Sequence, residues 1–332
     1  MKKYTCFDAP LRVFGIPFFD EKKKFERLPE QVRTKLSNLD FLGRRCPGAR
    51  IGFRTNAEEF TVKIYLKTLS VDIGMSIFAC QSAIVMVGDR QNSVFAGLVN
   101  PPDYKTKVFK NTVKKSSNME DVTIWLMRNE EIENVEITIP DDALVEEPTP
   151  YKYGKALYYG SSITEGGCCS NITNAYNAFL SRWLDLDYYN FGFSGNAKGE
   201  SEIANYINTI DMSIFIMDYD HNAPTVQHLK QTHEPFYQRI RVQNPDIPIL
   251  LLTRPNFAHT EDAKERRIVI EQTYKNAVRS GDKNIYYIDG ETFFAGEDGQ
   301  LCTVDMTHPN DLGMYRMAKT ILPVMKKMLN IV

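Results

Sequence analysis

The spacing of apolar residues changes near the middle of the chain, and this change restricts the possible folds more than any other feature. Between residues 50 and 139, apolar and polar residues alternate. Alternation with a period of two predicts strands that bury one face, and several such short strands predict an antiparallel β-sandwich. The alternating apolar sets are Phe60, Val62, Ile64 and Leu66; Val122, Ile124 and Leu126; and Val135, Ile137 and Ile139.

The second half contains short runs that are apolar at nearly every position, at 156–159, 214–217, 247–252 and 285–288. Strands of a parallel sheet have this pattern because helices cover both of its faces. Stretches with helical spacing lie between the runs, for example Ile172, Tyr176, Phe179 and Trp183. The alternation of strand and helix predicts a doubly wound α/β domain with a parallel sheet.

A segment with two prolines separates the two patterns. Residues 146–153 read Glu-Glu-Pro-Thr-Pro-Tyr-Lys-Tyr, a composition typical of a linker. The chain has 332 residues, whereas a single hydrophobic core usually stops growing at about 250 to 300 residues. We therefore predict an N-terminal β-sandwich domain at 1–148 and an α/β domain at 149–332.

Charge and apolar content exclude several classes of partner. The chain carries 40 basic and 42 acidic residues, so its net charge of −2 offers no general attraction to nucleic acid or to an anionic membrane. No apolar run approaches the roughly 20 residues of a membrane helix, and the basic N-terminus lacks the apolar stretch of a secretory signal. We therefore expect a cytoplasmic protein without nucleic-acid or membrane partners.

The six cysteines show neither a CxxC pair nor the spacing of a zinc site. We expect reduced thiols and no bound metal. Cys168 and Cys169 lie close to a candidate catalytic loop, so a cysteine nucleophile is an alternative. Packed free thiols are the simpler interpretation, because a thiolate needs a base at hand.

Candidate catalytic residues lie where the predicted parallel strands end, which is where open α/β sheets bind their ligands. The first strand runs into Gly160-Ser161-Ser162, and Asp305-Met306-Thr307-His308 precedes the last helix. Serine, aspartate and histidine supply a nucleophile, an orienting carboxylate and a base. Taken alone, each segment also fits an ordinary turn or helix cap.

Two further loops offer hydrogen-bond donors for an oxyanion. Residues 190–200 contain glycines that permit close backbone approach to a ligand, without the GxGxxG pattern of a dinucleotide site. Residues 217–225 contain Asn222, whose side-chain amide can donate. Each loop alone also fits an ordinary turn.

Together these segments resemble the four sequence blocks of the SGNH (GDSL-type) hydrolases, in the family's order. Each block is weakly specific alone, but four ordered blocks on four strand ends are strongly specific. The sequence departs from the family pattern where Ser161 and Ala223 replace aspartate and Asp220 replaces glycine. The resemblance implies Ser162 as nucleophile, Asp305 and His308 as acid and base, and oxyanion donors from the Ser162 amide, the Gly195 amide and the Asn222 side chain.

The resemblance also implies a fold and a function. It implies a flavodoxin-like, three-layer SGNH hydrolase domain, and the two-domain layout is similar to bacterial carbohydrate esterases and acetylhydrolases with a jelly-roll-like N-terminal sandwich. The implied function is a serine esterase that removes acetyl or another short acyl group from a carbohydrate-like substrate, a small molecule or an oligosaccharide, without a cofactor. Two alternatives stay open: a short-chain lipid or thioester acyl hydrolase of the same fold, and a non-catalytic glycan-binding protein.

Three charged residues near the candidate site are predicted to contact substrate. Arg254 ends a predicted strand, where its guanidinium could hold a sugar hydroxyl or a carboxylate, although a surface salt bridge fits equally well. Asp220 and Glu165 lie in the loops that also carry Asn222 and Ser162.

Overall fold

The computed structural model describes residues 1–70, 72–255 and 262–331. The N-terminal part consists mainly of antiparallel strands. Its strands are Lys2–Thr5 (β1), Arg12–Phe14 (β2), Arg50–Thr55 (β3), Glu59–Leu66 (β4), Ala83–Val87 (β5), Val94–Val99 (β6), Val108–Lys114 (β7), Glu120–Trp125 (β8), Ile132–Ile139 (β9) and Val145–Glu146 (β10). Its short helices are Phe19–Lys22 (α1), Glu30–Arg33 (α2), Asp40–Gly43 (α3) and Ile77–Gln81 (α4).

These strands form two sheets that enclose one core. One sheet has the order β1-β9-β4-β7, and the other has the order β10-β3-β8-β5-β6 with β2 paired to β3. Strand β4 illustrates how a sheet contributes one face to this core. Its side chains Phe60, Val62, Ile64 and Leu66 are buried, while the residues between them are not. The predicted β-sandwich is confirmed.

The second part is an α/β layer. Its strands are Tyr153–Gly160 (β11), Leu186–Gly192 (β12), Ile214–Asp218 (β13), Ile249–Leu252 (β14) and Ile285–Ile288 (β15). Its helices are Ser162–Glu165 (α5), Tyr176–Leu184 (α6), Ser201–Ile207 (α7), Val226–Gln243 (α8), Ala263–Arg279 (α9) and Asp311–Met328 (α10).

The five strands are parallel and have the order β12-β11-β13-β14-β15. This is the flavodoxin-like order. The second strand, β12, lies on one side of β11, and the later strands are added in sequence on its other side. The apolar side chains of the strands are divided between two cores, one on each face of the sheet. The predicted α/β fold is confirmed, and its ligand crevice is expected at the carboxyl ends of β11 and β13.

The N-terminal part and the α/β part are joined by a linker and also pack against each other in a common hydrophobic core. Leu28, Leu39 and Leu42 from the N-terminal part are packed into one of the cores of the parallel sheet. The predicted boundary between 148 and 149 lies between β10 and β11, and it stays a prediction. Among the residues described here, no helix is both long and apolar enough to cross a membrane.

Candidate active site

A tight turn at the end of β11 presents Ser162. The Ser161 hydroxyl caps helix α5 by accepting a hydrogen bond from the Ile163 amide at 3.2 Å. A side chain at Gly160 would place its Cβ 2.0 Å from the Thr164 hydroxyl oxygen, so only glycine fits between strand and helix. The turn therefore places Ser162 at the first position of the helix.

The structure brings Ser162, His308 and Asp305 together although 146 positions separate the first two. The Ser162 hydroxyl oxygen lies 2.8 Å from His308 Nε2. His308 Nδ1 lies 2.7 Å from an Asp305 carboxylate oxygen. This is the arrangement in which a carboxylate fixes the imidazole so that its other nitrogen can take a proton from serine.

Asp305 is held in its ionised form by a short loop. Partial burial opposes its charge, but hydrogen bonds from the backbone and ring of His308 and from the Thr307 amide outweigh burial and lower the pKa of Asp305 below its usual value. The side chains of His308 and Asp305 are 29% and 48% exposed. The pair therefore lies at the surface of the crevice, where a substrate can reach it.

Three hydrogen-bond donors are present on the strand-end loops that the sequence predicted. Across the described ranges, no acceptor is found for the backbone N–H of Ser162 or of Gly195. Gly195 has φ +69°, a conformation that side chains disfavour. Asn222 donates one amide hydrogen to the Phe193 carbonyl at 2.8 Å, which fixes the amide and leaves its second hydrogen available. Their role as an oxyanion hole stays a prediction.

The structure places Glu165 inside the protein, which corrects the sequence-based prediction of an accessible carboxylate beside the substrate. Its side chain is fully buried. Its carboxylate accepts hydrogen bonds from Arg128 at 2.9 Å, from the Ser194 amide at 3.1 Å and from Arg27 at 3.3 Å. With both of its carboxylate oxygens hydrogen-bonded inside the protein, Glu165 connects helix α5 to neighbouring segments.

Asp220 and Arg254 are also corrected. The Asp220 side chain is 1% exposed, and its carboxylate accepts hydrogen bonds from the Arg254 side chain at 3.0 Å and from the Arg254 amide at 3.1 Å. Arg266 reaches the same carboxylate at 3.7 Å. Since the Arg254 side chain is only 11% exposed, the structure uses both charges in a buried ion pair that connects the loops after β13 and β14, where the sequence predicted contacts with substrate.

Burial disfavours ionisation of the two cysteines that follow helix α5. Burial raises the pKa of Cys168 to about 11 and that of Cys169 to about 12. Such thiols are poor nucleophiles near pH 7. The described part of the chain also contains no group of three or more His, Cys, Asp or Glu side chains arranged to hold a metal ion.

Asp218 supports the turn that carries Ser162 through a hydrogen bond to helix α5, a role that the sequence analysis missed. It is buried at the end of β13, and its carboxylate accepts hydrogen bonds from Thr164 at 2.9 Å and Tyr176 at 3.0 Å. Burial raises the pKa of Asp218 to about 7, and the nearby Asp220 adds to the effect while the two hydrogen bonds oppose it. Its sequence signal is a lone carboxylate that ends an apolar strand.

This pKa predicts a specific pH dependence of stability for Asp218→Asn. The unfolded chain releases the Asp218 proton near the ordinary pKa of 3.8, whereas the folded protein releases it near 7. The wild type therefore loses stability relative to Asp218→Asn as the pH rises from about 4 to 7, by at most about 1.4 kcal/mol per pH unit. Denaturant unfolding at several pH values measures this difference.

The exposed Asp142 offers a matched control, Asp142→Asn, for the loss of a carboxyl at the surface. A stability difference between wild type and Asp218→Asn that stays constant from pH 4 to 7 would contradict the raised pKa.

Comparisons with known proteins agree with this architecture. Residues 154–326 match the family described as "GDSL-like Lipase/Acylhydrolase family". Residues 4–145 match the family described as "N-terminus of Esterase_SGNH_hydro-type". The search of curated proteins found no match.

Solved structures resemble the chain over 86% to 99% of its length. A protein from Bacteroides ovatus described as a GDSL-like lipase is 26% identical, with a TM-score of 0.87 over 99% of this chain and 98% of that one. A salicylyl-acyltransferase from a tetracycline biosynthetic pathway is 18% identical, with a TM-score of 0.80 over 98% of this chain and 97% of that one. A family two carbohydrate esterase from Clostridium thermocellum, in complex with cellohexaose, is 15% identical, with a TM-score of 0.64 over 86% of this chain and 94% of that one.

Proposed function

The chain belongs to the GDSL-like lipase/acylhydrolase family, and from this premise we propose that it is a serine esterase that removes acetyl or another short acyl group from an oxygen of a carbohydrate-like substrate. As a member of that family it is a hydrolase that acts on ester bonds. The proposal concerns its substrate and the residues that carry out the reaction.

One observation carries the proposed mechanism: the hydrogen-bonded series from Ser162 through His308 to Asp305, with distances of 2.8 and 2.7 Å. A serine hydroxyl is almost un-ionised near pH 7, so it attacks an acyl carbon only where a base accepts its proton. His308 Nε2 lies at the distance that this proton transfer needs.

In the acylation step, the Ser162 oxygen forms a bond to the ester carbonyl carbon, and its proton moves to His308 Nε2. Asp305 stabilises the imidazolium without taking the proton. The carbonyl oxygen becomes negatively charged, and the Ser162 amide, the Gly195 amide and the Asn222 side chain donate hydrogen bonds to it. The imidazolium then protonates the leaving alkoxide, so the alcohol departs and an acyl-enzyme remains.

Deacylation repeats these roles with water. His308 takes a proton from water as the water oxygen attacks the acyl carbon, and the same donors stabilise the second oxyanion. The proton then returns to Ser162 as its bond to the acyl carbon breaks. The products are a carboxylic acid and the free enzyme.

The carbohydrate part of the proposal is supported by the names of structural neighbours. Several are carbohydrate esterases, and one of these holds cellohexaose. Their sequence identity to this chain, 15% or lower, supports a shared fold, and the substrate class is proposed by analogy. The proposal therefore needs a direct test of the acyl acceptor.

A substrate panel tests this proposal. Purified enzyme is assayed with p-nitrophenyl esters from acetate to octanoate, with acetylated xylo-oligosaccharides, with a short-chain triglyceride and with an acyl thioester. We expect the highest kcat/KM for acetate among the p-nitrophenyl esters, and release of acetate from the sugars. A higher kcat/KM for the triglyceride or the thioester than for the acetylated sugars would contradict the proposed carbohydrate substrate and favour a lipid or thioester acyl hydrolase. Binding of the oligosaccharides without turnover of any ester would indicate a glycan-binding protein.

A further inference from the structure

Two arginines of the N-terminal part reach the nucleophile helix of the α/β part. Arg128, which follows β8, and Arg27, which precedes α2, have side chains that are 2% and 0% exposed. Both donate to the carboxylate of Glu165, which is also fully buried. A buried ion pair of this kind needs close partners for every charge, because removing one partner leaves another charge without compensation.

The same carboxylate also binds the loop between β12 and α7, residues 193–200, which carries Gly195 and is called the oxyanion loop below. The Glu165 oxygen that accepts a hydrogen bond from Arg128 also accepts one from the Ser194 amide, with an N···O distance of 3.1 Å. Ser194 directly precedes Gly195, whose amide is one of the proposed oxyanion donors. Arg128 also reaches the Ser194 hydroxyl at 3.4 Å. Nucleophile helix and oxyanion loop are therefore joined through one carboxylate and one guanidinium.

The guanidinium of Arg128 is itself fixed to the N-terminal part. Its other terminal nitrogen donates to Asn129 at 2.7 Å, contacts the Met75 sulfur at 2.8 Å and pairs with Asp72 at 3.3 Å. The planar fork of arginine allows contacts in two directions at once, which the single ammonium of lysine cannot reproduce. A shift of Arg128 would therefore move Glu165 and Ser194 together.

Close packing transmits such a shift to the nucleophile. A Cβ at Gly192, the last residue of β12, would lie 2.2 Å from the Glu165 amide nitrogen. Arg27 donates to the Gly192 carbonyl at 2.6 Å. Helix α5 thus lies directly against the end of β12, so a displacement of Glu165 would act on the short helix that begins with Ser162.

Resting on the proposed function, we propose that Arg128 is a positioning residue, through which the N-terminal part orients the oxyanion loop by holding Glu165 against the Ser194 amide. The N-terminal part then contributes to the turnover rate. Arg128 does not touch substrate, so its loss is expected to lower kcat and to leave KM nearly unchanged. Misplacement of catalytic groups by about 1 Å can cost roughly 100-fold in rate.

The test compares Arg128→Met, Arg128→Lys and a control at Arg12, an exposed arginine of the same part that pairs with Glu147 at the surface. We expect kcat for p-nitrophenyl acetate to fall about 10- to 100-fold in Arg128→Met and less in Arg128→Lys, with KM within about threefold of wild type. Arg12→Met is expected to match wild type. Circular dichroism and thermal unfolding confirm that each variant is folded at the assay temperature.

The results separate this inference from the proposed function. Turnover by wild type that does not depend on Ser162 would refute the proposed function, and the positioning role with it. Ser162-dependent turnover with an unchanged kcat in folded Arg128→Met would refute the positioning role alone. If Arg128→Met does not fold, Arg128→Lys decides the question: a wild-type kcat in that variant assigns Arg128 to stability alone, whereas a lowered kcat at an unchanged KM supports positioning.

Discussion

Ser162→Ala is expected to lower kcat for p-nitrophenyl acetate by roughly 10⁴- to 10⁶-fold, because no other hydroxyl in the proposed mechanism can form the acyl-enzyme. A 10⁴-fold loss corresponds to about 5.5 kcal/mol of transition-state stabilisation. The remaining rate would come from the oxyanion donors and from substrate binding, which the substitution leaves in place. Steady-state kinetics at substrate concentrations that span KM measure the effect.

The substitution is conservative for the fold. Ser162 is 8% exposed, and the hydroxyl that is lost has His308 as its hydrogen-bond partner. Ser117→Ala, in an exposed turn of the N-terminal part, is the matched control and should keep wild-type kinetics. Residual activity above about one per cent of wild type in Ser162→Ala would contradict a nucleophilic role for Ser162.

His308→Ala is expected to lower kcat by a similar factor, because without the imidazole the Ser162 proton has no acceptor. The double variant Ser162→Ala, His308→Ala should be hardly slower than either single variant, since both residues act in one proton transfer. The same kinetic assay measures all three variants. Losses that multiply in the double variant would show that the two residues act independently and would contradict the hydrogen-bonded pair as a catalytic unit.

Much of the fold could be predicted from the sequence because the spacing of apolar residues along a strand indicates which of its faces are buried. Strand β4 alternates because one face meets the core of the sandwich, whereas β13 is buried throughout and apolar from Ile214 to Met217 because helices cover both faces of its sheet. The packing of Leu28, Leu39 and Leu42 against the parallel sheet could not be predicted in this way. Apolar spacing shows that a residue is buried and does not show which core contains it.

The position of Ser162 could be predicted because it follows the end of β11, and a strand end is a local feature of the sequence. Asp305 and His308 lie in the loop before α10, well beyond the end of β15 at Ile288, and could be predicted from the spacing of an aspartate and a histidine and from the resemblance of that segment to the family's last block. The partners of buried charges could not be predicted, since they come from distant segments. Glu165, Asp220 and Arg254 therefore looked like substrate contacts in the sequence, whereas the structure pairs them inside the protein.

The position of Arg128 in the sequence is itself a signal for a buried charge. It continues the two-residue spacing of Val122, Ile124 and Leu126, which places a charge at a position predicted to be buried. Arginine is almost never fully buried without a partner. The spacing could therefore have indicated a buried ion pair, although not that Glu165 is the partner.

The most direct test of the central claim is the identity of the residue that a fluorophosphonate ester modifies. In this reaction a serine oxygen bonds to phosphorus and fluoride leaves. We predict one adduct, on Ser162 by peptide mass spectrometry, which forms much more slowly in His308→Ala. An adduct on another residue, or an equal rate of labelling in His308→Ala, would contradict Ser162 as a nucleophile activated by His308.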